Sequence, residues 1–398
     1  MESRLASLLA VLAVMITTLL AAHIVVGPAW AGGLAVVSLL ALAGWLGLTW
    51  RAPAGHDGIV APYILAIVLV LVLSTCRYLS DYAPMLAAHF KPLFAARFAI
   101  TETNWFVVFV VCPISLMLLG GYFLARRTPL GLYMAWWTGL YAIADGLLQL
   151  RVEFLQGLAY NHLYFSGALV ASAQMLVGAV ICQRLLRMRT STVAVANSHA
   201  GSTPRQRNLW SLLFVSLVAV YGVTLFRQAG PVPVAVVVGS MLGGLIGWRK
   251  TTAFQPADPA KAVPLFLLLL AFFYVHVGEE ALTSFNQAIA SISGKPWSDR
   301  EFTLLIGLVG PVIWFFSAWS LWLRQPLGNF VFWFLIVGMI LGEPTHLLVF
   351  PVVAMNKFGV GYEYFSGMYT ALFPMIPAIM ALVMIVGDHR QRAAGAAA

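Results

Sequence analysis

Long apolar runs, each close to the length a helix needs to cross a bilayer, follow one another along almost the whole chain. A spanning helix takes about 20 apolar residues. That length predicts twelve spans, near 5–26, 30–49, 60–80, 104–125, 129–149, 163–184, 209–227, 231–248, 264–285, 303–323, 329–350 and 361–386. Segments 83–101 and 286–302 are shorter and mixed, and read as interfacial or partly re-entrant. The most polar stretch, "RMRTSTVAVANSHAGSTPRQRN" at 187–208, reads as a flexible cytoplasmic linker. The expected fold class is all-α, a polytopic transmembrane helical bundle. "PAWAGG" at 28–33 imitates a leader cleavage site, but residues 5–26 are too long for a leader's apolar region and read as the first span.

The linker separates two copies of one pattern. "YFSG" occurs at 164–167 and 364–367, and "WR" at 50–51 and 248–249. Asp145 precedes Glu343, and Asp81 precedes Glu279, by nearly the same displacement. These landmarks predict a tandem duplication: a six-helix repeat over 1–186, the linker at 187–208, and a second six-helix repeat over 209–398. An even number of spans per copy places both copies in the same sense, related by an axis along the membrane normal. The first copy has Tyr78, Asp81, Tyr82, Asp145 and Leu148 at the corresponding positions and lacks both histidines. It is therefore expected to be a scaffold with a degenerate site, with Arg77 neutralising Asp81 and His162 at an interface.

Composition agrees with a life in lipid: of 398 residues, 61% are hydrophobic and 9% charged. The net charge of +9 sits in short loops, for example at Arg126, Arg127, Arg184, Arg249, Lys250 and Arg324, where it acts as a topology signal and not as a nucleic-acid surface. Both termini are expected in the cytoplasm, in a bacterial inner membrane. Cys76, Cys112 and Cys182 all lie in or beside apolar runs, which argues against a disulfide framework. No phosphate loop or nucleotide fingerprint occurs.

The exceptional stretch is "FFYVHVGEEALTSFNQ" at 272–287. On a helix, His276, Glu279 and Glu280 share one stripe, which Thr283 and Asn286 extend. Glu343 and His346 form a second pair at the same spacing, two spans later. Counted from the cytoplasmic side, His276 lies about 18 Å and Glu343 about 21 Å into a core about 30 Å thick. Glu363 and Tyr364 begin at the outer end of the last span, so an acidic, histidine-bearing outer cavity is expected. Ionisable groups at such depth usually face the bundle interior and carry function. The structural alternative is a hydrogen-bond network that pins helices together.

His276-Val-Gly-Glu-Glu280, a later span with His346, and "YEYFSGMYTALFP" at 362–374 resemble the HXXEE-domain family of membrane proteins over about 264–386. Gly342 stands where that family has an asparagine, with Glu343 one residue on, and Ser366 stands where it has a proline. The resemblance implies little about chemistry. A fainter likeness is to EXPERA domains, the fold of the emopamil-binding sterol isomerase. Those place a histidine and acids around a lipid-facing cavity, protonate an alkene and steady the cation with aromatic rings.

Three functions follow. The preferred one is a membrane enzyme using His276, Glu279, Glu280, Glu343 and His346 for acid–base chemistry, an isomerisation or cyclisation. Its substrate is an isoprenoid- or sterol-like lipid held by Tyr274, Thr283, Asn286, Glu363 and Tyr364, with no cofactor required. The second is metal-dependent lipid modification, with iron or zinc on the same five acid and histidine residues. The third is a proton-coupled transporter, whose two parallel halves fit the span count. "TWRAPAGHDG" between the second and third spans lacks the Gly-rich basic signature expected of such a carrier. The expected partners are a lipophilic small molecule and the bilayer.

Overall fold

A computed structural model describes residues 2–50, 57–80, 101–160, 165–188 and 203–397. Asp81, Tyr82 and His162, and most of 83–101 and 187–208, lie outside the described residues. Every regular element among the described residues is helical. The chain divides into two compact units, Met1–Ala196 and Asn197–Ala398.

The first unit holds α1 (Glu2–Val25), α2 (Pro28–Gly44), α3 (Asp57–Leu79), α4 (Glu102–Ala125), α5 (Pro129–Tyr160) and α6 (Phe165–Arg187). The second holds α7 (Pro204–Ala229), α8 (Pro231–Lys250), α9 (Pro259–Leu282), the short α10 (Phe285–Ser293), α11 (Asp299–Trp322), α12 (Pro326–Leu341), α13 (Thr345–Leu348), α14 (Phe350–Phe358) and α15 (Leu372–Ala397). Many begin at a proline, whose missing N–H costs nothing in a first turn. Thr203 and Ser298 close capping boxes on α7 and α11, and Asp258 caps α9.

Eleven described helical runs, one of them Pro326–Phe358 with α12 to α14 taken together, are long and apolar enough to cross a membrane, as expected of an integral membrane protein. The expected span at 129–149 lies on α5, which is outside those eleven because Asp145, Gln149 and Arg151 interrupt its apolar run.

Helix pairing follows one order in each unit. In the first, α1 packs on α2, α3 on α4 and α6, and α5 on α2, α4 and α6. In the second, α7 packs on α8, α9 on α11 and α15, and α12 on α8, α11 and α15. Both α4 and α11 contain a widened π-helical stretch, Val107–Val111 and Thr303–Val309, just before Pro113 and Pro311. A proline inside a helix supplies no N–H and crowds the preceding turn, and the widened turn relieves that crowding. Helices α8 and α12 approach closely at Gly244, where a Cβ would lie 2.5 Å from the Phe334 backbone.

Two boundaries differ from expectation, and both shape the site. The span at 329–350 is broken at Gly342-Glu343-Pro344: α12 stops at Leu341, and α13 and α14 continue in short pieces. Pro344 cannot donate to a helical ladder, so the carbonyls of this turn find other partners. The last span begins at Leu372 rather than 361, because residues 359–371 form a non-helical strap held by side chains of α9 and α13.

Candidate functional site

Four ionisable side chains meet where α9, the break after α12 and the strap converge. His276 and Glu280 project from successive turns of α9, Glu343 sits in the break, and His346 stands on α13. All four are buried. His276 Nε2 lies 2.8 Å from Glu343 Oε2 and 3.7 Å from Glu280 Oε1. His346 Nε2 lies 3.5 Å from the same Glu280 oxygen. His276 Nε2 and Glu343 Oε2 stand as a close pair, and neither has a hydrogen bond to any other described residue.

The outer ring nitrogens are held firmly. His346 Nδ1 lies 2.8 Å from the Ser366 carbonyl, which can only accept, so this nitrogen carries the proton. His276 Nδ1 lies 3.0 Å from Thr370 Oγ1. That hydroxyl donates its own proton to Glu279 Oε2, so it accepts from Nδ1–H. In both rings the proton is thus fixed at Nδ1, and Nε2 faces the cluster. Gly367 makes the approach possible. Its φ of +84° suits glycine, and a Cβ there would lie 2.5 Å from His346 Nδ1 and 2.9 Å from His276 Cε1. Phe285 stacks on the His346 ring, with centroids 4.8 Å apart.

The cluster closes one end of a cavity of about 120 Å³. Glu280, Glu343 and His346 line it together with Phe273, Trp314, Trp297, Phe302, Phe334 and aliphatic side chains of α7, α8 and α12. Among the described residues that line it there is no lysine or arginine. A chamber of this size takes part of a lipid-sized molecule, since drug-sized pockets begin at about 300 Å³.

The other expected site residues lie elsewhere. Glu279 does not line the cavity. Its carboxylate accepts from Tyr364 Oη at 2.7 Å, Tyr369 N at 3.0 Å and Thr370 N at 2.8 Å, besides the Thr370 hydroxyl. It is the anchor of the strap. The residues expected to hold substrate are also outside the cavity lining. Tyr274 is fully buried and donates to the Gly307 carbonyl. Thr283 donates to the Glu279 carbonyl and meets the Ser366 hydroxyl. Asn286 ties α10 to Trp297 O and Asp299 at 2.7 and 2.8 Å. Glu363 is exposed, and Tyr364 belongs to the strap. Burial of the Tyr364 phenol, helped by the Glu279 carboxylate beside it, pushes its pKa above the usual tyrosine value.

The residues not foreseen are the ones that orient and wall the site. Ser366 and Thr370 fix the imidazole protons, Gly367 clears their space, and Phe273, Phe285 and Trp297 form the wall. In the sequence the strap was marked by the repeated "YFSG" at 364–367 and by the resemblance over 362–374, neither of which tells what Ser366 and Thr370 hold.

In the first unit, Arg77 pairs with Asp145 at 2.9 Å and donates to Gln149 Oε1 at 2.7 Å. Gln174 Nε2 donates to the other Asp145 oxygen at 3.0 Å. The partner expected for Arg77 was Asp81; the described partner is Asp145, which α5 brings to α3.

Comparison with protein-family models, with curated proteins and with solved structures finds no match for this chain.

Proposed function

We propose that this integral membrane protein is an enzyme that moves a proton within a lipophilic, isoprenoid- or sterol-like substrate, by double-bond isomerisation or cyclisation. The observation that carries the reading is Glu343. It lines an apolar cavity, its Oε2 has no hydrogen-bond partner, and two imidazoles and a second carboxyl crowd the same end.

An apolar wall of this kind accepts hydrocarbon from the bilayer with little change in solvation. The substrate then meets polar groups only at the cluster. In the isomerisation, Glu343 takes a proton from a carbon next to a double bond. The electron pair of the broken C–H bond forms the new double bond, and the old π pair takes the proton back at its far carbon. Glu343 ends as it began, so no oxidant, reductant or co-substrate is consumed. General acid–base groups of this kind contribute about 10²–10⁴-fold in rate. Aromatic rings at the wall, Phe273 and Trp314, pack against the hydrocarbon beside the reacting carbons.

The experiment compares lipid extracts of cells with the intact chain, without it, and with Glu343→Gln. A lipid that accumulates equally in the last two supports the reading. Extracts that are the same in all three reject it.

A further inference from the structure

Resting on that reading of the cavity, we infer that His276, Glu280 and His346 hold one divalent transition-metal ion, of the zinc or iron(II) class, with an open position facing the substrate. The ligand atoms of these three buried residues all lie within 4.8 Å of one another. A tetrahedral metal with bonds of about 2.0–2.2 Å spaces its neighbouring ligand atoms by about 3.3–3.6 Å. The Glu280 oxygen lies 3.5 Å from one imidazole Nε2 and 3.7 Å from the other, near that spacing. Two histidines and a carboxylate with a vacant fourth position form a known type of catalytic zinc set.

Three further observations point to a cation. First, His276 Nε2 is buried and makes no hydrogen bond, which leaves its lone pair facing the cluster. Second, both rings are held at Nδ1 by outer acceptors. His346 is held by the Ser366 carbonyl, and His276 by a hydroxyl itself bound to the Glu279 carboxylate. Metal-bound histidines are characteristically braced in this way, which fixes the tautomer and aims the other nitrogen.

Third, the two units differ in charge at matching places. Asp145 on α5 corresponds to Glu343, and Tyr78 on α3 to His276, by the same displacement along the sequence. In the first unit the buried carboxylate is met by the guanidinium of Arg77, the neighbour of Tyr78. In the second unit two carboxyls share an apolar cavity with no lysine or arginine among its described lining residues. A buried charge without a partner is strongly unfavourable, so the second unit calls for a cation from outside. Bound there, the ion would polarise a substrate oxygen, which narrows the substrate class to lipids carrying a hydroxyl or carbonyl near the reacting double bond.

The test is metal analysis of the full-length protein, purified in detergent without chelator, with no activity assay involved. The expected result is about one zinc or iron per chain. It is lost in His346→Ala and Glu280→Gln and retained in Glu343→Gln and in Asp145→Asn. Because a ligand variant can fail to fold, intact protein stripped by chelator is also titrated with cobalt(II), and visible ligand-field bands are expected. Wild-type protein that carries no stoichiometric metal and takes up no cobalt overturns the metal site, and leaves proton transfer by the side chains alone. Metal bound without any change in lipid extracts overturns the enzyme reading and leaves the site.

Discussion

The rings of His276 and His346 stand edge to face, with centroids 4.8 Å apart and planes at 85°. The geometry turns both Nε2 atoms toward one oxygen of Glu280 while both Nδ1 atoms point outward to the strap. One loop therefore sets the orientation of two side chains that come from different helices.

Gly367→Ala tests that dependence. The added methyl meets both imidazoles, and alanine is strained at this positive φ. A loss of stability of about 1–3 kcal/mol is expected, from overpacking and strain together. Metal content and turnover should fall with it. Thermal unfolding and metal analysis of the same preparation measure both.

Glu279→Gln should act through His276 and the strap. The carboxylate receives four donors, and an amide can accept only at its single oxygen. Bracing residues of this kind typically change metal affinity by about 10–100-fold. Competition with a chelator of known affinity reads the shift. Hydrogen exchange over 359–371 should quicken in the variant.

Val237→Phe should separate cavity from cluster. Val237 lines the chamber from α8 with an apolar side chain that can neither bind a metal nor carry a proton. The larger ring fills space of about 120 Å³ in which substrate would sit. Turnover should drop while metal content stays at the wild-type level.

Arg77→Met should destabilise the first unit by about 3–5 kcal/mol, because Asp145 is left buried without its cation. Adding Asp145→Asn to it should recover part of the loss. Denaturation curves of the two variants make the comparison.

Alkaline pH should loosen the strap. The folded-state pKa of Tyr364 is raised, so its contribution is fully present below the unfolded value near 10 and is lost as pH rises through the folded value. Tyr364→Phe should remove this dependence. Proteolysis of the strap as a function of pH checks it.

Much of the fold was legible because lipid imposes a simple rule: apolar runs of spanning length are helices. The meeting of His276 with Glu343 was legible too, since counting residues from the same side put them at one level. What failed was rotation. Glu279 and Glu280 are neighbours about 100° apart on a helix, so one can enter the cavity while the other reaches the strap. Which does which is decided by α12 and the strap, far away in sequence. The break at Glu343 had a local signal in Gly342 and Pro344, hidden within an apolar stretch long enough to read as one span. The strap fell inside the apolar length counted as the last span, 361–386, although its backbone is held by Glu279 and its Ser366 carbonyl by His346.

Proton movement within a substrate leaves the mass of that substrate unchanged, and this gives the central claim its most direct test. Purified protein in vesicles is incubated with a membrane lipid fraction, and the lipids are followed by chromatography with mass detection. The account predicts that one lipid converts to an isomer of identical mass with different retention, and that Glu343→Gln abolishes the conversion. No conversion at constant mass, or an undiminished one in the Glu343→Gln variant, contradicts it.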